Sequence, residues 1–241
     1  MKDFICSEKK SISTHTRNRT EKMQNTADFD LVLVDPNGPL CDAFRERFSD
    51  LPRVSVQQGY FQELDSFDCM VSAANSFGLM GGGVDRAIVE FFGDDLESRV
   101  RSHIVREFRG EQPVGTSFII ETGHPEHPFL AHTPTMRVAQ PIAGTDNVYR
   151  AMQAMLLAVW NHNRTQDRSI GVVACPGLGT ATGRLPHARA ANQMAMAFEH
   201  FINPPGEITG DYAHRIQRRV RYGGDRGFEH HQRLISKEQQ T

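Results

Sequence analysis

The chain has 241 residues, 39% of them hydrophobic, and a formal net charge of −2 at pH 7; that is enough for one sizeable domain with tails or two small ones, and it gives no electrostatic reason to expect nucleic-acid binding. No apolar run approaches the roughly 18 residues that span a bilayer, and the stretch Met1–Asp30 lacks the apolar segment of a secretory signal, so neither a membrane partner nor export is expected. Cys6, Cys41, Cys69 and Cys175 lie far apart with no C-x-x-C pair, which argues against a disulfide framework or zinc knuckle and for a reducing, cytoplasmic setting.

Residues 1–28 are rich in Lys, Arg, Ser, Thr and Asn without an apolar period and read as a flexible tail. FDLVLVD (29–35) reads as a first strand, stopped by Pro36, Asn37 and Gly38. CDAFRERFSD (41–50) spaces Phe44 and Phe48 as an amphipathic helix does. VSVQQGYF (54–61) reads as a strand, and FDCMVSAAN (67–75) as another, with an apolar centre suited to cover on both faces. VDRAIVEFF (84–92) is helical, VGTSFIIETG (114–123) and PFLAHTPT (128–135) are strands, and NVYRAMQAMLLAVWNH (147–162) is a helix. SIGVVACPGLG (169–179) is a buried strand entering a glycine-rich turn, and PHARAANQMAMAFEHF (186–201) is a helix that Pro186 is placed to start. From about Asn203 the chain looks peripheral and becomes basic, with RIQRRVRYGGDRG (215–227) read as a surface helix followed by a loose tail. Alternating strands and helices predict an α/β domain over 29–202 with a largely parallel sheet.

Two segments share one design: a buried strand, a loop of small residues, then a helix. The first loop carries Gly81, Gly82 and Gly83, where no side chain keeps a ligand off the backbone and the helix that follows presents free N–H groups and a positive dipole end. The second, CPGLGTATGRLP (175–186), carries Gly177, Gly179 and Gly183 among small hydroxyl residues. Either loop alone reads equally well as a tight strand-to-helix turn. Together, at the carboxyl ends of neighbouring parallel strands, they would converge on one crevice and suit a diphosphate. No Lys-Ser or Lys-Thr follows the glycines, and no G-x-G-x-x-G is present, so ATP and NAD are disfavoured as reacting cofactors and none is expected.

Here the sequence resembles the macrodomain family, whose members bind ADP-ribose. The family's first loop reads N-A-A-N followed by G-G-G-V-D; this chain has S-A-A-N and then Gly81-Gly82-Gly83-Val84-Asp85. The family's second loop, G-x-G-T-G-x-G, is matched at Gly177, Gly179, Thr180 and Gly183, with Ala181 where a glycine is usual. FLAHTPT resembles the family's His-containing strand. The resemblance implies a three-layer α/β/α fold with a mixed, mostly parallel sheet. It also implies a diphosphate held by Ala74, Gly81 to Val84 and the run Pro176, Gly177, Leu178, Gly179, Thr180, Ala181, Thr182 and Gly183. Asn75 would hydrogen-bond the distal ribose, and Asp85 would orient or activate a water there. The implied partners are ADP-ribose, its derivatives and ADP-ribosylated proteins. The implied reaction is hydrolysis of an ester at the distal ribose, of O-acetyl-ADP-ribose or a mono-ADP-ribosylated acidic side chain, with a non-catalytic ADP-ribose reader as the alternative.

Bland readings stand beside these: Asp85 as a helix N-terminal acid placed for the dipole, Asn75 as a strand-end turn residue. The family's G-D-I motif, whose Asp recognises adenine, is replaced by Gly59-Tyr60-Phe61. Tyr60 or Phe61 would stack on the base or simply pack in the core, and Asp35 is a candidate replacement acid. Tyr212 is a candidate aromatic over the distal ribose. The absence of lysine between Lys22 and Lys237 and of Gln-Glu-Glu after the glycines excludes the lysine-dependent branch and disfavours the poly(ADP-ribose) glycohydrolase mechanism. His124, His127 and His132 match no ligand spacing, so no metal is expected.

Overall fold

The computed structural model describes residues 27–220. The tail read over residues 1–28 lies almost wholly outside them, as does the basic end beyond Val220. Six strands form one sheet: β1 (Asp30–Asp35), β2 (Val54–Gln58), β3 (Cys69–Ser72), β4 (Phe118–Glu121), β5 (Phe129–His132) and β6 (Val172–Cys175). Their order is β2-β1-β6-β3-β5-β4, parallel throughout except where β4 runs antiparallel to β5 at the edge.

The apolar runs at the centre of the sheet are continuous because both faces are covered. Side chains alternate along a strand, so Leu31 and Leu33 of β1, Cys69 and Val71 of β3, and Val173 and Cys175 of β6 enter one core. Val34, Met70 and Ala174, one residue out of phase, enter the other. Helices α1 (Gly38–Phe48), α4 (Asn147–Thr165) and α5 (His187–Ile202) close the first face; α2 (Gly83–Phe92) and α3 (Asp95–Phe108) close the second. The result is the three-layer α/β/α arrangement with a mixed, mostly parallel sheet.

Several boundaries differ from the sequence reading. Helix α1 begins earlier than the spacing of its phenylalanines suggests, because Asn37 caps it, accepting from the Leu40 N–H at 3.0 Å, and Pro39 fits its first turn. Strand β2 ends at Gln58; Gly59 turns the chain at φ +154° and Phe61–Glu63 form a short 3-10 turn. Helix α3 occupies a stretch given no element from the sequence. It buries only Leu96, Val100 and Ile104, spaced four apart among Arg, Glu and Ser, a stripe too narrow to dominate the local composition. At the other end, α6 (Gly210–Val220) follows α5, anchored by an Arg219–Glu199 ion pair at 2.6 Å and by buried Val220.

Asn37→Ala leaves the Leu40 N–H without its side-chain partner and is expected to lower unfolding stability by about 1 kcal/mol, read in a urea titration with an unchanged m-value.

Candidate functional site

β3 and β6 lie side by side in parallel, Cys69 opposite Val173 and Met70 opposite Ala174, so the loops that follow them leave the same edge of the sheet. A cleft of about 480 Å³ opens there, in the place expected for ligands of open parallel sheets. Of the residues singled out from sequence, Tyr60, Phe61, Ala74, Asn75, Gly82 to Asp85, Pro176, Gly177 and Gly179 to Gly183 all line it. Gly81 and Leu178 do not; Leu178 points into the core beneath the second loop and is fully buried.

The two glycine loops are glycine-rich for different reasons. In the second, a Cβ at Gly177 would collide with Leu40, one at Gly183 with the carbonyl oxygen of Gly179, and one at Gly179, where φ is +68°, with Ile142 at 2.7 Å and Val148 at 2.8 Å. Packing demands those glycines whether or not a ligand binds. A Cβ on Gly81, Gly82 or Gly83 would meet nothing within 4 Å, and among these only Gly83 takes a positive φ, +58°. The first loop is therefore open towards solvent and the cleft. It leads into α2, whose N-cap, Gly82, supplies no side-chain oxygen. The first N–H groups of α2 are left for a ligand, with the positive dipole end behind them.

Asp85 stands on the first turn of α2, only 6% exposed, and accepts a hydrogen bond from Ser72 Oγ at 2.7 Å. Burial, reinforced by Glu97 on α3, lifts its carboxyl to about 6 against the opposing pull of the Ser72 hydroxyl. An acid placed merely to complement the helix dipole would be exposed and held low. This one is neither.

Asn75 lines the cleft, yet its carboxamide also builds the loop: Oδ1 accepts from the N–H groups of Phe77 (3.1 Å) and Leu79 (3.3 Å), and Nδ2 donates to the Leu79 carbonyl at 2.7 Å. One N–H of Nδ2 is left over for a ligand. Asp35, at the end of β1, spans the cleft floor: Oδ1 accepts from Asn37 N–H (2.9 Å) and Oδ2 from Gly177 N–H (3.2 Å), so its carboxylate ties β1 to the second loop. Tyr60 is 59% exposed at the rim. Phe61 also lines the cleft but is almost fully buried, with its ring edge-on to Phe67 and Phe91 in the second core.

Sequence reasoning missed the segment between β5 and α4, from which Thr135, Met136 and Ala139 line the cleft. Its backbone prolongs the β3–β5 pairing into the first loop (Ala74 N–H to Thr133 O, 3.1 Å; Ser76 N–H to Met136 O, 3.1 Å) and then joins the second (Ile142 N–H to Gly183 O, 2.8 Å). These are backbone bonds, which no residue type announces. Tyr212 does not reach the site; it lies on α6, beside Tyr149 and Trp160 in a groove formed with α4 and α5. His132 is fully buried on β5, with Nδ1 2.6 Å from Gln112 Oε1 and its imidazole held down to about 3 by burial, a core histidine. His124 and His127 stack on each other and on Phe91 and Phe67. Burial raises the Cys175 thiol, opposite to the shift a reactive thiolate needs.

Comparison with known proteins gives a match to the Macro domain family over residues 71–194. An O-acetyl-ADP-ribose deacetylase of Salmonella typhimurium is 31% identical over 154 residues, covering 62% of this chain and 79% of the relative. An uncharacterized protein of Aquifex aeolicus is 29% identical over 148 residues, 61% of this chain and 82% of the relative. Among solved structures, the Oceanobacillus iheyensis macrodomain with ADP superposes with a TM-score of 0.51 at 20% identity, over 68% of this chain and 87% of that one.

Two outcomes follow. Gly183→Ala is expected to cost about 1–3 kcal/mol of stability through overpacking, whereas Gly81→Ala stays within about 0.5 kcal/mol; chemical denaturation separates them. Asp85 has its folded pKa raised, so folding takes up a proton between pH 4 and 6 and stability falls as pH rises through that window. Asp85→Asn is accordingly expected to stabilise the protein by about 2–3 kcal/mol at pH 8 and by little at pH 4, measured by thermal unfolding at both values.

Proposed function

We propose, on the premise that the chain belongs to the Macro domain family, that its cleft binds ADP-ribose and that Asp85 promotes hydrolysis of an ester at the distal ribose. The observation that carries the binding is the open first loop: glycines that packing does not require, leading to an uncapped helix N-terminus in the cleft. A diphosphate would lie across those N–H groups and the second loop. Tyr60 at the rim offers an exposed ring to a base, in place of the carboxylate that the family uses. Asn75 keeps one N–H for a ribose hydroxyl.

For the chemistry, a water between Asp85 and the ester carbonyl loses a proton to the carboxylate as its oxygen bonds to the carbonyl carbon. The tetrahedral intermediate then breaks its bond to the ribose oxygen, which takes the proton back and leaves as a hydroxyl. ADP-ribose and a carboxylic acid, acetic acid or a protein side chain, are released. A base poised near 6 is ionised at neutral pH and still basic enough to take the proton. Similarity to the O-acetyl-ADP-ribose deacetylase supports this substrate class. The engagement of the Asn75 carboxamide in its own loop favours the second reading, a non-catalytic binder of ADP-ribose or ADP-ribosylated protein.

Steady-state turnover of O-acetyl-ADP-ribose and of a mono-ADP-ribosylated acidic peptide decides between them. The hydrolytic reading predicts kcat rising with pH through about 6 and a fall of roughly 10²-fold or more in Asp85→Ala. Tight ADP-ribose binding by an inert wild type would select the reader instead.

A further inference from the structure

The family resemblance places an Asn at the position that Ser72 occupies in S-A-A-N, and the structure shows what the hydroxyl does there. Ser72 is the last residue of β3 and is fully buried. Its backbone is fixed by the sheet: it pairs with His132 on β5, and its carbonyl accepts from Thr133 N–H at 3.2 Å. Its Oγ therefore leaves a rigid strand end and reaches Asp85 Oδ1 at 2.7 Å. Asp85 in turn sits on α2, which Ile88 anchors in the second core. Among the described residues, no other side chain hydrogen-bonds this carboxylate. Ser72 thus engages Oδ1 of a carboxylate that also lines the cleft.

We propose that Ser72 is the positioning residue of this site: its hydroxyl holds one oxygen of Asp85 against the end of β3 and thereby sets which oxygen, at what angle, meets the substrate. The kinetic part rests on the hydrolytic reading above; the placement of Asp85 does not. A hydroxyl both donates and accepts, so the contact survives protonation of the acid, with only the direction of the hydrogen bond reversing. Because Ser72 donates to the charged form, it opposes the rise that burial and Glu97 impose on Asp85.

The test compares wild type, Ser72→Ala and Ser72→Thr, the last keeping the hydroxyl. If the alanine variant does not fold, Ser72→Cys, a weak donor of similar size, replaces it. Asp85 is titrated by the carboxyl-carbon NMR signal of labelled protein, without substrate. In Ser72→Ala its midpoint is expected to rise by about one pH unit, and in Ser72→Thr to stay near the wild-type value. With substrate, the acid limb of kcat should move up by the same amount, and kcat at pH 7 should fall about tenfold while the ADP-ribose Kd changes less than about threefold. An Asp85 titration unmoved in Ser72→Ala, even with a lowered melting temperature, marks Ser72 as merely structural and overturns the proposal. A shifted titration in a protein that turns over no ester supports the placement and sinks only the hydrolytic reading.

Discussion

β6 enters the sheet between β1 and β3, parallel to both, with register fixed at Met70 opposite Ala174 and Leu33 opposite Cys175. From that pairing the rest of the site follows. Parallel neighbours deliver their loops to one edge, so the first and second glycine loops and Asp35 meet without any long-range side-chain instruction. A one-residue slip would reverse the faces of every residue in β6, sending Cys175 and Val173 out of the first core and displacing the second loop with them. The hydrophobic pattern on both faces of the sheet is what holds the cleft together.

Within that frame the second loop and the first divide the work. The second is locked: a Cβ on any of its glycines would collide with a neighbour, and Asp35 and Ile142 tie it to β1 and to the segment before α4. The first is left open at Gly81–Gly83, and its helix end is uncapped. A rigid wall facing an open row of N–H donors suits an anionic ligand, since the donors are already aligned before it arrives. Asp85 shows the cost of function in the same place. Burying a carboxylate with one hydrogen bond opposes folding at neutral pH, which an acid serving only stability would not do.

Much of this was legible in the amino-acid sequence, for identifiable reasons. β1, β3 and β6 announce themselves because strands covered on both faces become unbroken apolar runs, and α4 because its apolar face is wide. Helix α3 was not read although Leu96, Val100 and Ile104 recur at helical spacing, because Arg, Glu and Ser dominate the stretch around them and only the sheet shows which side those three bury. The glycines of both loops were visible, but not that those of the second are dictated by Leu40, Ile142 and Val148, residues distant in sequence. The segment from Met136 to Ile142 went unread because it is held by backbone hydrogen bonds. The replacement of Asn by Ser at position 72 could be seen in the loop motif, but its link to Asp85, thirteen residues on, could not. The similarity to macrodomains supports the same fold.

If the open first loop makes this cleft a site for a diphosphate joined to two riboses, calorimetric titration with ADP-ribose, ADP and a short polynucleotide will show it. Saturable one-to-one heat is expected with ADP-ribose, tighter than with ADP, and nearly abolished when Gly82 is replaced by a bulky residue such as valine. Absence of heat with ADP-ribose, or tighter polynucleotide binding that weakens steeply with salt, would contradict it.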